Sequence, residues 1–172
     1  MRLILPTEEY EQQWLDMIRE MEAINDEIVP YALFFHQYKF QIFLEKTRDF
    51  RQGINLVDFV PATTYFLVED KESRLIGAVN IRHKLNEGLL FSRGHIGYGI
   101  RPSEQRKGYA AEMLRLCLEK CREMGLAKVL VTCNKNNIAS AKTILKNMGV
   151  LENEVIDDKG IIVQRYWINL VH

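Results

Sequence analysis

The run Gln105-Arg106-Lys107-Gly108-Tyr109-Ala110-Ala111 sets a glycine, two cations and two alanines within seven positions. A helix beginning near Gly108 leaves its first N–H groups without internal partners, and the helix dipole adds partial positive charge there. Gly108 lets a ligand reach the main chain without meeting a Cβ, and Arg106 and Lys107 add charge. The chemistry this suits is the holding of a phosphate or pyrophosphate by backbone amides between Gln105 and Ala111. Two better-known phosphate loops do not fit. Nothing here supplies a glycine, four residues and then Gly-Lys-Ser/Thr. A dinucleotide fingerprint opening at Gly97-Tyr98-Gly99 would need its third glycine where Pro102 stands.

The elements that must position this loop are readable on either side of it. Ile96, Tyr98 and Ile100 alternate with His95, Gly97 and Gly99, as in a strand over Gly94–Arg101. Two glycines on one face mark a bulge, or a close approach by a ligand or another backbone. Pro102 ends the pairing. After the loop, Ala110, Met113, Leu114, Cys117, Leu118 and Cys121 form the buried stripe of a helix that Gly125 closes. Cys117 and Cys121 are one turn apart, but no second Cys or His pair completes a metal site, so packing is expected and no metal. Val129–Val131 reads as a short buried strand. Asn134–Asn137 leads into a helix with Ala141, Ile144, Leu145 and Met148 inward and Gly149 at its end.

The N-terminal half reads as a strand at Arg2–Leu5, a helix over Glu8–Glu22 capped by Thr7, a break at Asn25-Asp26, and a second helix from Phe35 to Arg51. The aromatic cluster Tyr31, Phe34, Phe35, Tyr38, Phe40 and Phe43 is either core packing or one wall of a binding pocket. Thr63–Glu69 and Leu75–His83 form a hairpin, and Lys84–Arg93 is a polar link read as a surface loop. Val150–Val155 and Ile161–Leu170 close the chain as antiparallel strands.

The 172 residues fit one domain, 1–172, with a sizeable core. Lys+Arg and Asp+Glu both number 23, which excludes a broad electrostatic grip on nucleic acid. No apolar run approaches a membrane span, and the first six residues are too short for a secretory core. The expected location is the cytoplasm, which the three cysteines without a disulfide framework also fit.

Gln105-x-x-Gly108-x-Ala110, with a strand before it and a helix after it, resembles the acetyl-CoA-binding segment of the GNAT family of N-acetyltransferases. Asn134-x-x-Asn137-x-x-Ser140, followed by Gly149, resembles a second segment of that family. The resemblance implies an α/β (α+β) fold: a mixed, mostly antiparallel twisted sheet with a V-shaped splay between its two central strands, flanked by helices. It implies acetyl-CoA as cosubstrate. The main chain of Tyr98 and Ile100 would pair with the pantetheine arm. The amides of Gln105, Arg106, Lys107, Gly108, Tyr109, Ala110 and Ala111 would surround the pyrophosphate. Asn137 would touch the cofactor, cap its helix, or do both.

The implied reaction is transfer of an acetyl group to a primary amine of a small molecule or peptide, by direct attack in a ternary complex. The competing reading is an acyl-CoA-binding or regulatory module without catalysis. Its support is Leu145, which stands where many family members carry a tyrosine that protonates the departing thiolate. A third reading is a protein that does not bind CoA, whose loop only caps a helix. Candidates to replace the tyrosine are Tyr98, Tyr109 and Cys133. Candidates for the base are His95, His83 and Glu104, the histidines because they titrate near neutrality. Each of these also reads as an ordinary half-buried polar residue, and Cys133 as packing. His36 and His172 have no context, and Asp26, Glu27 and Asp58 could attract a cationic amine or simply be solvated. A homodimer is common among the proteins resembled.

Overall fold

A computed structural model describes residues 1–24, 28–33, 39–54 and 56–171. The break at Asn25-Asp26, and the expectations placed on Glu27, Phe34, Phe35, His36, Tyr38 and His172, lie outside the described residues.

The chain opens with β1 (Arg2–Ile4), a 3-10 turn at Glu8–Tyr10, and α1 (Glu11–Ile24). Thr7 stands at the start of that turn, but its hydroxyl donates to the Glu9 carboxylate at 3.0 Å and caps no amide. Helix α2 is described from Phe40 to Gln52, and Gly53 closes it in the left-handed region with φ 73°. Strands β2 (Ala62–Glu69) and β3 (Arg74–Arg82) form the expected hairpin. Then come β4 (Ile96–Ile100), a 3-10 turn at Pro102–Glu104, α3 (Tyr109–Glu123), β5 (Lys128–Asn134), α4 (Ile138–Lys146), β6 (Val150–Ile156) and β7 (Ile162–Asn169).

The seven strands make one sheet in the order β1-β2-β3-β4-β5-β7-β6. Every neighbouring pair is antiparallel except β4 and β5, which run parallel. On one face α3 lays Met113, Leu114, Cys117 and Cys121 against β3, β4 and β5, and Ile144 of α4 joins them. On the other face Trp14, Met17 and Met21 of α1 and Phe40 and Phe43 of α2 cover Phe66 and Ala78. Phe43 stacks on Phe66 at 5.9 Å and meets Trp14 at 5.1 Å, so these described aromatics take the core-packing role.

Two stretches differ from their expected form. Lys84–Arg93 is not a plain loop: Leu89–Arg93 winds into a π turn, and the Gly94 N–H closes it on the Leu89 carbonyl at 2.7 Å. Gly94 has φ 64°, and a Cβ there would stand 2.5 Å from the Leu130 carbonyl oxygen, so a glycine is what lets the turn abut β5. At α4 the inward set is smaller than its periodicity predicts. Ile144 is fully buried, whereas Leu145 is 53% and Met148 80% exposed. The helix stops at Lys146, Met148 takes the left-handed conformation with φ 66°, and Gly149 packs on Ile144 so closely that a Cβ would overlap it. That contact turns the chain into β6 and leaves Met148 outside.

Candidate active site

Strand β4 is held to β3 from Gly77↔Ile100 to Ile81↔Ile96. Its other edge pairs with β5 at one position, Ile96↔Val131, while β5 continues along β7 through seven pairs from Lys128↔Asn169 to Asn134↔Val163. The two central strands therefore part after Ile96. The Arg101 N–H donates to Ile76 on the β3 side. By the two-residue alternation of a strand, Tyr98 and Ile100 turn their own N–H and C=O groups to the opposite edge, into the gap. Gln105 reaches back with its Nε2, which donates to the Ile100 carbonyl at 3.3 Å.

The glycines on the alternate face have a cause. A Cβ on Gly99 would overlap the carbonyl oxygen of Val29, and one on Gly77 would overlap the Gly99 carbonyl. A Cβ on Gly97 would stand 3.6 Å from Pro30 and 3.8 Å from the Arg82 guanidinium. Of the alternatives open from sequence, the approach of another backbone explains Gly99.

The loop that follows is anchored at both ends. Glu20 of α1 accepts from the Arg101 side chain at 2.7 Å and from the Ser103 N–H at 3.0 Å. Glu104 is 3% exposed and lies between the Arg74 guanidinium and the Lys107 ammonium, the latter at 2.9 Å. A carboxylate held by two cations is braced where it is and fixes Lys107 beside the loop. The Gln105 N–H turns to Pro102 and the Ala111 N–H to Gly108, each at 3.2 Å. Between them, the amides of Arg106, Lys107, Gly108, Tyr109 and Ala110 have no hydrogen-bond partner among the described residues. Arg106 has φ 61° and Gly108 φ 85°, and such left-handed residues curl successive N–H groups toward one point. A Cβ built on Gly108 meets nothing within 4 Å, so the space above it is open. A cleft of about 850 Å³ extends from here, lined by Gly108, Ala111, Arg115, Lys146, Asn147 and Met148 among others.

The expected chemical groups lie at different distances from that gap. The Tyr98 hydroxyl is buried and closes no hydrogen bond of normal geometry. Burial raises its pKa, while the nearby Ser140 and Thr143 hydroxyls hold it down in part. Cys133 of β5 lies in the buried cluster that Tyr98 packs against, and burial pushes its thiol up to about 11. Tyr109 is the first residue of α3, half-buried against the core. The Oδ1 of Asn137 accepts from the Ser140 N–H at 3.0 Å and caps α4. His95 is woven into the sheet: its Nδ1 accepts from the Leu130 N–H at 2.9 Å. The neutral ring then carries its proton on Nε2 and has no spare lone pair. Burial, with the Arg82 charge behind it, lowers its pKa to about 4. His83 pairs with the Thr63 hydroxyl at 2.8 Å, and burial lowers its pKa too. Arg82 and Glu20 were not singled out from sequence. Arg82 comes to the Gly97 face only through the register between β3 and β4, which alternation along one strand does not give.

The family model for the acetyltransferase (GNAT) domain matches residues 9–149. The chain belongs to the GNAT acetyltransferase family. Membership makes it an acetyl-CoA-dependent N-acetyltransferase acting on an amine. No curated protein matches it by sequence. Solved GNAT structures share its fold. The ribosomal-protein-S5-alanine acetyltransferase of Vibrio fischeri aligns with TM-score 0.72 at 16% identity, over 97% of this chain and 91% of that one. RimL, the ribosomal L7/L12 alpha-N-protein acetyltransferase, solved with coenzyme A, aligns with TM-score 0.72 at 14% identity, over 97% and 92%. A chimera of the spermidine N-acetyltransferase SpeG from Vibrio cholerae with hSSAT aligns with TM-score 0.66 at 16% identity, over 99% and 97%. Among the described residues no helix is long and apolar enough to cross a membrane, and no group of three or more His, Cys, Asp or Glu is placed to hold a metal.

Proposed function

We propose that this GNAT chain, acting as one domain over 1–172 in the cytoplasm, acetylates the primary amine of a small molecule or peptide by direct attack on acetyl-CoA in a ternary complex. The observation that carries this reading is the run of five uncommitted amides from Arg106 to Ala110 under open space at Gly108. They suit a pyrophosphate, with Lys107 alongside and Gln105 squaring the end of β4. Tyr98 and Ile100 offer the pantetheine arm the strand edge that β5 leaves free. Asn137 keeps its two Nδ2 protons for the cofactor while Oδ1 caps the helix.

Acetyl-CoA supplies the acyl thioester. A neutral amine nitrogen attacks its carbonyl carbon, the C–N bond forms and the C–S bond breaks. An N–H facing the gap on β4 polarises the carbonyl oxygen. The departing sulfur takes the proton of the Tyr98 hydroxyl, and the nitrogen gives its surplus proton to water. Tyr98 then regains a proton from solvent. Tyr98 fits this role because its hydroxyl is buried near Ser140 and Thr143 of α4 and closes no hydrogen bond of normal geometry, whereas Leu145, at the C-terminal end of that helix, is exposed and carries no acid. Two of the structural neighbours, a ribosomal-protein acetyltransferase and a spermidine acetyltransferase, support peptide and small amines alike as the acceptor class.

The test is coenzyme A binding by calorimetry with Gly108→Asp and Gly108→Ala. Both put a side chain at φ 85° and share a backbone penalty of about 1 kcal/mol. Asp alone adds negative charge to the nest, so it should weaken binding tenfold or more beyond Ala. Equal binding by parent and Gly108→Asp means the anion site lies elsewhere. The second reading, a CoA-binding module without catalysis, rests on Leu145. It is favoured if CoA binds and a broad amine panel releases no thiol above blank.

A further inference from the structure

On the face of β4 opposite Tyr98, Arg82 brings a cation to the point where the central strands part. Its Nη1 donates to the Arg93 carbonyl at 3.2 Å and to the Gly94 carbonyl at 3.0 Å. Its Nη2 lies 3.8 Å from the place a Gly97 Cβ would occupy, so the guanidinium covers bare main chain one residue beyond Ile96, the last residue paired with β5. The guanidinium is largely desolvated, although the residue keeps some exposed surface. No carboxylate among the described residues lies within 4.0 Å of it. The charge that acts on it is another cation, Arg93. Burial lowers its pKa to about 10, with Arg93 adding to the shift, so it stays charged at neutral pH.

A desolvated charge is normally matched by a counter-charge, because its hydration is not replaced by carbonyls on one edge alone. Among the described residues, two carbonyls and a second cation are what surrounds it. Asn80 and Thr64, the next polar residues on this face, bond to each other at 3.0 Å and are neutral. Guanidinium groups bind carboxylates through paired N–H donors in one plane.

We propose that Arg82 receives a carboxylate of the acceptor, so that the preferred substrate is an amine carrying a carboxylate close to the reacting nitrogen. The assignment rests on the acetyl transfer proposed above and names its substrate class. The same charge, with Arg93 behind it, disfavours polyamines, whose second ammonium would meet a cation. A free amino acid offers its α-carboxylate and a peptide with an acidic first residue offers its side chain; the chemistry at Arg82 is the same.

The experiment measures thiol release from acetyl-CoA by the full chain with matched acceptors. Amino acids are set against their carboxamides, dipeptides with an acidic first residue against neutral ones, and spermidine against all. The expected result is a kcat/KM at least tenfold higher for the carboxylate member of one pair series, and that series identifies the source. Arg82→Gln should reduce that ratio tenfold or more through KM, with Arg82→Lys retaining part of it, and melting curves report whether each variant is folded. Equal rates for acids and amides in the unaltered chain, or spermidine as the best acceptor, overturns the assignment while leaving acetyl transfer standing. Turnover with no amine at all, despite CoA binding, overturns both. The acid–amide comparison needs no variant, so it decides even if Arg82→Gln does not fold.

Discussion

His95 shows how far surroundings move a single residue from its behaviour in water. An exposed imidazole titrates near neutrality, but here Leu130 donates to Nδ1, and burial together with Arg82 lowers the pKa to about 4. The sign follows directly. Between about pH 6.5 and 4 the unfolded chain binds a proton at this position that the native chain does not, so native stability falls as pH drops through that window. The contribution is complete above the unfolded value and its slope is at most ~1.4 kcal/mol per pH unit. Urea titrations at stepped pH should show that loss. His95→Asn keeps an acceptor near the Leu130 N–H and removes the titration, so its stability should be flatter across the same range. An unchanged profile would show that acid sensitivity comes from other groups.

At the scale of elements, the side chain that caps α4, Asn137, is also the one proposed to touch the cofactor. Asn137→Ala should cost about 1 kcal/mol in denaturant unfolding, the usual worth of an N-cap, and also weaken coenzyme A. Asn137→Asp separates the two functions. It keeps the acceptor for the Ser140 N–H and loses the Nδ2 donor, so stability should hold while CoA affinity falls several-fold in calorimetry. If affinity holds as well, Asn137 is a cap and nothing more.

The elements also show what the sequence made legible. The loop from Gln105 to Ala111 could be read because its chemistry is local: left-handed Arg106 and Gly108 and an open helix start lie within a few bonds of each other. The hairpin and the α3 stripe were equally plain, since alternation and the 3.6-residue period act over neighbours. The use of the Gln105 and Ala111 amides within the loop was not plain, because it depends on the path of the turn. Leu145 and Met148 kept the helical period yet lie outside, because the Gly149–Ile144 contact ends the packing surface early. Arg82 gains its meaning from Gly97 on the adjacent strand and from acids that are not beside it, and neither is a sequence signal.

At the scale of the whole molecule, the gap and its loop join two packed layers. The α1 side reaches the loop through Glu20, and α3 grows out of it on the other face. A ligand seated there should therefore stabilise the entire chain. At a hundred times its Kd, coenzyme A adds about 2.7 kcal/mol. For a chain of this size that is a rise in Tm of roughly 5–10 °C. A thermal melt with and without CoA checks it, and no shift at saturating ligand would place the cofactor outside the folded core.

Cys117, Cys121 and Cys133 are all buried, and burial raises the Cys117 and Cys133 thiols above their ordinary range. A chromogenic disulfide or a maleimide added to the native chain will therefore find little thiolate to react with. Colour that develops in a turnover assay then reports released coenzyme rather than the enzyme, and a sudden burst of labelling would announce that the protein itself has come apart.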